Sequence, residues 1–116
     1  MSNVLAGIGR GQLKVLERRL AQKRHIFEFY KENLSHLEGL EMMPVNDWNE
    51  PNFWLSCITL SGKVKPLKIL EALERENIES RPIWKPMHMQ PFYRDCDFLG
   101  SGVSQKIFEH GLCLPS

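Results

Sequence analysis

The first third of the chain carries a helical pattern that is too long for a compact domain of this size. The pattern is helical from Asn3 to about Leu34, and from Leu13 onwards apolar residues recur at alternating three- and four-residue spacings, with one break at Lys23. An unbroken helix of this length would be about 45 Å long. A compact domain of 116 residues has a radius of gyration of only about 13 Å. The helix is therefore expected to break or to project. Its apolar stripe consists of Leu13, Leu16, Leu20, Phe27, Tyr30 and Leu34.

Three glycines, Gly7, Gly9 and Gly11, weaken the first turns of this helix. Each costs about 1 kcal/mol relative to alanine in a helix interior, so these turns need a surface packed on them. Because glycine lets another backbone or a ligand come close, this end suits a subunit contact. A phosphate-binding loop is the weaker alternative, since no strand precedes GIGRG and no Gly-Lys-Ser/Thr follows it. Ser2 or Asn3 is expected to cap the helix.

The rest of the chain alternates strand patterns with amphipathic helix patterns. Strands are predicted at residues 40–44, 53–60, 78–83 and 112–115, and helices at residues 65–76 and 103–110. Pro66 occupies an allowed first-turn position of the first of these helices, and Gly111 is expected to stop the second. The buried stripe predicted for residues 65–76 is Leu67, Ile69, Leu70 and Leu73.

This order of elements predicts an α+β fold over a single, partial domain spanning residues 1–116. We expect a two-layer sandwich in which a small, mostly antiparallel sheet packs against helices mainly on one face, preceded by the long N-terminal helix. Both ends have the character of internal segments, because the chain stops directly after an apolar strand and the first helix has no element before it.

Composition excludes several classes of protein. The formal net charge is +1, with 42% hydrophobic and 25% charged residues, which gives no drive towards nucleic acid or anionic membranes. The basic run RRLAQKRH is most simply a solvated helix face, with a nucleic-acid patch as the alternative. No apolar run approaches the roughly 20 residues that span a bilayer. The N-terminus lacks the pattern of a signal peptide, so a cytoplasmic location is expected.

The three cysteines, Cys57, Cys96 and Cys113, are an odd number without a CxxC pair. This argues against a disulfide framework and against structural zinc. His110 and Cys113 could supply two metal ligands, but nothing else in the sequence completes a set, so no metal is expected. The simpler interpretation is a buried thiol.

The segment SRPIWKPMHMQPFY, residues 80–93, fits neither a helix nor a central strand. Pro82, Pro86 and Pro91 each lack a backbone donor and bias the preceding residue away from the α region. Prolines at this density would also interrupt a hydrogen-bond ladder. A long ordered loop rich in indole, guanidinium and imidazole groups is expected to line a binding surface.

Three ordered blocks of the chain resemble one enzyme family. The blocks are MSNVLAGIGRGQLKVLERRLAQKRHIFEFYKENL, ENIESRPIWKPMHMQPFY and FEHGLCLPS. They look like the C-terminal small domain of the DegT/DnrJ/StrS-type nucleotide-sugar aminotransferases, pyridoxal-phosphate enzymes of the aspartate-aminotransferase fold. The RPIWKPMH form is most similar to members that aminate 4-keto UDP-sugars for cell-surface polysaccharides or glycans.

The resemblance implies a division of labour between two domains of a homodimeric enzyme. The family's Schiff-base lysine and the carboxylate that contacts the pyridinium nitrogen belong to a large domain outside this sequence. We therefore expect the chain to be catalytically silent alone and to bind no pyridoxal phosphate by itself. In the family, the Met-Ser-Asn block follows a residue that reaches the partner subunit's cofactor phosphate. Ser2 and Asn3 are accordingly expected near the cofactor across the dimer.

The resemblance also implies that residues 80–90 line the mouth of the active-site cleft. Arg81 offers a planar fork for phosphate or carboxylate, Trp84 a face for stacking, and His88 a polar group adjustable near neutral pH. Lys85 is a candidate diphosphate contact. The structural alternatives are that Arg81 pairs with Glu79, that Trp84 fills the core and that His88 is a hydrogen-bonded structural residue.

Three functions follow in order of preference. The first is a part of an aminotransferase that moves an amino group, with glutamate as the expected donor, to a keto sugar nucleotide. The second is a non-catalytic module that self-associates into a homo-oligomer through its long helix and exposed apolar surface. The third, nucleic-acid binding through RRLAQKRH, is the least favoured because the net charge is close to zero.

Overall fold

The computed structural model describes residues 2–116. Within this range the helices are α1 (Asn3–Leu13), α2 (Leu16–Leu34), α3 (Pro66–Arg75) and α4 (Val103–His110). The strands are β1 (Leu40–Met42), β2 (Ser56–Leu60), β3 (Arg81–Pro82) and β4 (Gly111–Leu114). Two 3₁₀ turns, Met87–Met89 and Pro91–Tyr93, occupy the proline-rich loop.

The strands form one sheet in the order β1-β2-β4-β3, and every neighbouring pair is antiparallel. The α+β prediction with an antiparallel sheet is therefore confirmed. β4, the last strand in sequence, lies inside the sheet because it pairs with β2 on one side and β3 on the other. Pro82 lies in the edge strand β3, where a missing backbone donor is tolerated.

The core lies on one face of this sheet. Side chains of β2 and β4 alternate between the two faces, and Ile58, Leu60, Leu112 and Leu114 form a buried cluster on the same face. Helices α2 and α3 cover this cluster. The half-buried residues packed against it are Tyr30, Leu34, Leu40, Met42, Ile69 and Leu70.

The predicted long helix both breaks and projects. Lys14 and Val15 separate α1 from α2, and Val15 has a φ of −112° and a ψ of 3°, outside the helical region. None of the residues of α1 is buried. The radius of gyration is 17.5 Å, well above the roughly 13 Å of a compact domain of this length.

The start of α1 combines a confirmed cap with an unsupported surface. The Ser2 hydroxyl accepts a hydrogen bond from the Leu5 backbone N–H at 3.3 Å, which confirms Ser2 as the cap. Among residues 2–116, and apart from the adjoining residues and backbone of the helix itself, no heavy atom lies within 4 Å of the place that a Cβ would take at Gly7, Gly9 or Gly11. The supporting contact expected for these glycines is thus not made by the described part of the chain.

Several predicted boundaries are wrong. The strand predicted at residues 53–60 begins only at Ser56, because Phe53 adopts a positive φ of 51° that is incompatible with a strand. The strand predicted at residues 78–83 is reduced to Arg81–Pro82. Leu67 does not belong to the buried stripe of α3, since it is 62% exposed.

Gly111 follows the end of α4, as predicted, without adopting the left-handed conformation that is common for glycine at this position. Its φ of −100° and ψ of 154° are extended, so it is not a left-handed helix cap. A Cβ at this position would collide with the Ile107 carbonyl oxygen and the Ile83 side chain. Glycine is required here because the chain turns from α4 directly into the buried strand β4.

In residues 2–116 we find no helix with the combination of length and apolar character that crossing a membrane requires.

Replacing Leu112 with alanine should destabilise the fold strongly. Leu112 is 0% exposed, and removing a buried leucine side chain typically costs about 2–5 kcal/mol. Urea unfolding followed by circular dichroism measures the change. Leu99→Ala is the matched control, because Leu99 is 98% exposed and should change the free energy of unfolding by less than about 0.5 kcal/mol. Equal effects of the two substitutions would contradict the placement of the core.

Candidate functional site

A groove of about 570 Å³ runs beside β3 and β4 on the face of the sheet opposite the core. Three of the four predicted substrate-binding residues, Arg81, Trp84 and Lys85, line it together. The groove is also bordered by Trp54, Leu55, Glu79, Ser80, Pro82, Ile83, Phe108, Cys113, Leu114, Pro115 and Ser116. The structure thus brings a guanidinium, an ammonium and two indoles to one concave surface.

Two tryptophans form the aromatic part of this groove. The ring centroids of Trp54 and Trp84 are 6.2 Å apart, with an interplanar angle of 43°. Trp84 is 64% exposed and Trp54 is 65% exposed, so neither fills the core. The interpretation of Trp84 as a core side chain is therefore wrong, and both indoles offer a free face for stacking.

Trp54 was not predicted as a site residue because the sequence placed it within a strand. The Trp54 backbone N–H donates to the Asn52 side-chain oxygen at 3.0 Å, which forms a tight turn before β2. Phe53, inside this turn, is buried and packs on Phe27 with ring centroids 4.7 Å apart. The signal that could have revealed Trp54 is the turn-forming run NEPN, residues 49–52, which ends two positions before it.

Arg81 is paired in the manner of the structural alternative and still lies in the groove. Its Nε and one terminal nitrogen donate to Glu79 Oε1 at 2.8 and 2.6 Å. Both side chains are more than 70% exposed, so the pair contributes little to stability. Because the pair is solvated, an anionic ligand can compete with Glu79 for the guanidinium.

Lys85 is exposed, and its backbone carbonyl accepts a hydrogen bond from the Gln90 side chain at 3.3 Å. This bond fixes the backbone while leaving the ammonium group free to follow a ligand. Lys85 therefore supplies a mobile positive charge beside the more rigid guanidinium of Arg81.

His88 lies outside the groove that holds the other three residues. Its ring stacks on Phe98 with centroids 3.8 Å apart and an angle of 24° between planes. It borders a second, smaller cavity of about 260 Å³ with Met87, Tyr93, Cys96, Asp97 and Phe98. His88 Nε2 is buried without a hydrogen-bond partner among the described residues. Its predicted role in substrate binding stays a prediction.

Ser2 and Asn3 lie at the exposed start of α1 and do not line the groove. In the part of the chain that the structure describes, no three His, Cys, Asp or Glu side chains come together as a metal site. The predicted proximity of Ser2 and Asn3 to a cofactor concerns a partner subunit and stays a prediction.

The end of the chain forms part of the groove and is tied to α2. The Tyr30 hydroxyl donates to the Pro115 carbonyl oxygen at 2.7 Å, and burial raises the pKa of Tyr30. Lys23 Nζ donates to the Ser116 hydroxyl at 3.4 Å, and that hydroxyl donates to the Trp54 carbonyl oxygen at 3.0 Å. Lys23, the break in the apolar stripe of the sequence, thus connects α2 to the groove.

The groove does not form a complete pyridoxal-phosphate site by itself. Such a site needs a lysine for the Schiff base and an acidic or basic partner for the pyridine nitrogen. Lys85, the lysine of the groove, is exposed. Glu79, the carboxylate of the groove, is engaged by Arg81. The two cations of the groove, Arg81 and Lys85, are suited instead to binding an anion at an open surface.

Comparison with known proteins defines the family. The model of the DegT/DnrJ/EryC1/StrS aminotransferase family matches residues 1–116. The chain therefore belongs to this family. The Bacillus subtilis (strain 168) protein EpsN, named as a pyridoxal phosphate-dependent aminotransferase, is 42% identical over 120 residues, which cover 100% of this chain and 31% of EpsN. The GDP-perosamine synthase of Vibrio cholerae is 31% identical over 121 residues, covering 100% of this chain and 32% of the synthase.

Solved structures show the same fold. DesI, crystallised in the presence of its TDP-sugar product, matches 100% of this chain and 31% of its own with a TM-score of 0.88 and 19% identity. The aminotransferase TlmJ from Streptoalloteichus hindustanus matches 95% of this chain and 29% of its own, with a TM-score of 0.81 and 24% identity. The chain spans about a third of the length of the curated relatives that it matches.

Replacing Tyr30 with phenylalanine should loosen the end of the chain from α2. Loss of the hydrogen bond to Pro115 is expected to cost about 1 kcal/mol in urea unfolding.

The same substitution tests the titration of Tyr30. Because the pKa of Tyr30 is raised above 10.0, the folded chain holds the phenol proton more tightly than the unfolded chain does. Wild-type stability should therefore fall as pH rises past 10.0, and this part of the fall should be absent in Tyr30→Phe. Tyr93→Phe, which removes the other phenol of the chain, is the control; equal effects would contradict the assignment.

Proposed function

We propose that this chain is the small domain of a pyridoxal phosphate-dependent aminotransferase that aminates a keto sugar nucleotide. Residues 1–116 form the partial domain that supplies substrate-binding surface, and a large domain supplies the reactive groups. Membership of the aminotransferase family and the coverage of about a third of each relative support this division. The perosamine synthase and the DesI structure with a TDP-sugar product support a nucleotide sugar as the substrate class.

The observation that carries the proposal is the groove containing Trp54, Arg81, Trp84 and Lys85. A nucleotide sugar combines an aromatic base, a diphosphate and a polar sugar. The two exposed indoles suit stacking with the base, and the two cations suit the diphosphate. We infer that the base binds against Trp54 and Trp84 while Arg81 exchanges Glu79 for a phosphate oxygen.

The role of this chain in the reaction is to bind and orient the substrate. Pyridoxal phosphate, when bound by the large domain, supplies the electron sink for amino transfer. A bidentate contact from Arg81 would fix the diphosphate, and stacking would fix the base, so the sugar is held in one orientation. The proposed amino donor is glutamate, and the proposed product is an amino sugar for cell-surface polysaccharide or glycan synthesis. A cytoplasmic, homodimeric enzyme is part of the same proposal.

Substitution of the groove residues tests this function directly. UDP-glucose is titrated into the 116-residue chain in a calorimeter, with GDP-glucose and TDP-glucose as comparison ligands. Trp84→Ala should weaken binding about tenfold, because stacking of a base on an aromatic side chain is worth about 1–3 kcal/mol. Arg81→Ala should weaken binding about tenfold or more, since a hydrogen bond to a charged group is worth about 1.5–3 kcal/mol.

Matched substitutions outside the groove provide the controls. Trp48→Ala removes a tryptophan that is exposed and does not line the groove. Arg94→Ala removes an exposed guanidinium that likewise lies outside it. Both should leave the affinity unchanged. Binding that is insensitive to Trp84→Ala and Arg81→Ala would overturn the assignment of the groove.

A second candidate function, a self-associating module, is favoured by the surface of α1. Four apolar side chains of this helix are more than half exposed: Val4, Leu5, Ile8 and Leu13. Removing apolar side chains from water lowers the free energy, so this surface favours a partner that covers it. An isolated helix shorter than about 12–15 residues is marginal in water, and α1 has 11 residues. We propose that a second copy of the chain covers this surface in a homo-oligomer.

Replacing Ile8 with aspartate should weaken this association without harming the monomer. A charge in an apolar contact must be desolvated, so the association constant should fall at least tenfold. Analytical ultracentrifugation measures this constant from the fraction of dimer. The free energy of unfolding should stay the same, because no residue of α1 is buried. Arg10→Asp, two residues along and on the other side of the helix, is the control. A wild-type chain that is monomeric at high concentration would contradict the module.

A further inference from the structure

Two cysteines face each other across the centre of the sheet, and neither has a role in the proposed function. Cys57 of β2 is directly opposite Cys113 of β4, and their sulfur atoms are 3.6 Å apart. Cys113 is 4% exposed and lines the groove, whereas Cys57 is half-buried. The third cysteine, Cys96, is exposed and borders the other cavity.

The hydrogen-bond pattern of the sheet shows which kind of cross-strand pair this is. The Cys57 carbonyl oxygen accepts from the Met43 backbone N–H at 2.9 Å, so it points towards the β1 side of the sheet. The N–H and C=O of one strand residue point to the same side, so those of Cys57 point away from β4. Cys57 and Cys113 are therefore a non-hydrogen-bonded pair.

This class of pair has the spacing that a disulfide can accept. Cα atoms of a non-hydrogen-bonded antiparallel pair are about 4.5 Å apart, and side chains approach more closely than in the other class. Disulfides occur at Cα separations of about 4.4–6.8 Å. The two sulfur atoms need to approach from 3.6 Å to about 2.05 Å, which small changes in the side-chain torsions can supply.

We propose that Cys57 and Cys113 form a dithiol site that a peroxide oxidises to an intramolecular disulfide joining β2 to β4. This proposal is independent of the proposed substrate. The site lies in the floor of the groove, with Arg81 directly opposite Cys113 on the neighbouring strand. The disulfide would covalently join the two central strands that carry the core.

The reaction balances with one peroxide per pair. The Cys57 sulfur attacks one oxygen of hydrogen peroxide, the O–O bond breaks, and a sulfenic acid and one water form. The Cys113 sulfur then attacks the Cys57 sulfur, the S–O bond breaks, and a second water leaves. Each thiol proton ends in a water molecule. The two cysteines lose two electrons in total, and the peroxide gains them.

The surroundings of the pair make this reaction slow at neutral pH. Burial, and then the hydrogen bond and the charge interaction with Cys113, raise the pKa of Cys57 to about 12. The thiolate is the nucleophile, so little reactive species is present near neutrality. The charged groups lining the adjoining groove are Arg81, Lys85 and Glu79, and α4 contributes the uncharged Phe108 there. Arg81 is engaged by Glu79.

Mass spectrometry of the Cys96→Ser chain tests the proposal. The folded protein is treated with hydrogen peroxide, denatured, alkylated and weighed. We expect loss of the mass of two hydrogen atoms, no alkylation, and full reversal by dithiothreitol. The rate should rise about tenfold per pH unit while the pH stays below the pKa of about 12, whereas free cysteine levels off above about pH 8.5.

Two further variants keep the result open to refutation. Cys57→Ser and Cys113→Ser, each made in the Cys96→Ser chain, should not lose the mass of two hydrogen atoms in a step that dithiothreitol reverses. Oxidation to a sulfinic acid without a disulfide would overturn the proposal. So would disulfides formed only between chains, or no oxidation at all. Circular dichroism of the Cys96→Ser chain confirms that it is folded, since Cys96 is exposed and no core contact is removed.

Discussion

The antiparallel pairing of β2 with β4 is the constraint on which the rest of the structure depends. It joins Ser56–Leu60 to Gly111–Leu114 and so closes the half of the chain between them into one loop. Such long-range pairing has a large entropic cost, which burial of Ile58, Leu60, Leu112 and Leu114 must offset. Both neighbours of this pair depend on it, because β1 attaches only to β2 and β3 only to β4.

The two faces of this pair serve different purposes because strand side chains alternate. One face carries the core under α2 and α3, and the other carries Cys57, Cys113 and the groove. All four residues of β4 are buried, so this strand is covered on both faces. Arg81 lies in β3 and is followed by Trp84 and Lys85, and Trp54 comes just before β2. Because β2 and β3 both pair with β4, these side chains are anchored next to a strand that cannot move without disrupting the core. This is the arrangement that a binding surface with a fixed geometry requires.

Strong local patterns in the sequence predicted elements well, and tertiary contacts decided what they missed. The helix predicted at residues 103–110 matches α4, because its apolar spacing and the following glycine act over short distances. The exposure of Leu67 could not be foreseen, since the stripe on α3 depends on how the helix is rotated against the sheet. Three groove residues were predicted from residue type and family resemblance. The position of Trp54, in contrast, depends on a turn that replaces the first residues of the predicted strand. His88 was grouped with them because sequence proximity does not reveal the 3₁₀ turn that carries it away.

The contrast between α1 and the remainder of the chain bears on how the protein is assembled. The core around β2 and β4 makes no use of α1, and the cap from Ser2 satisfies only one of the backbone donors at its start. Glycine at three alternate positions weakens this helix further, and its apolar side chains remain in water. Both proposed functions place a further surface against this helix. Whether that surface is a large domain or a second copy, the same apolar side chains would be buried, so the two proposed functions require the same property of α1.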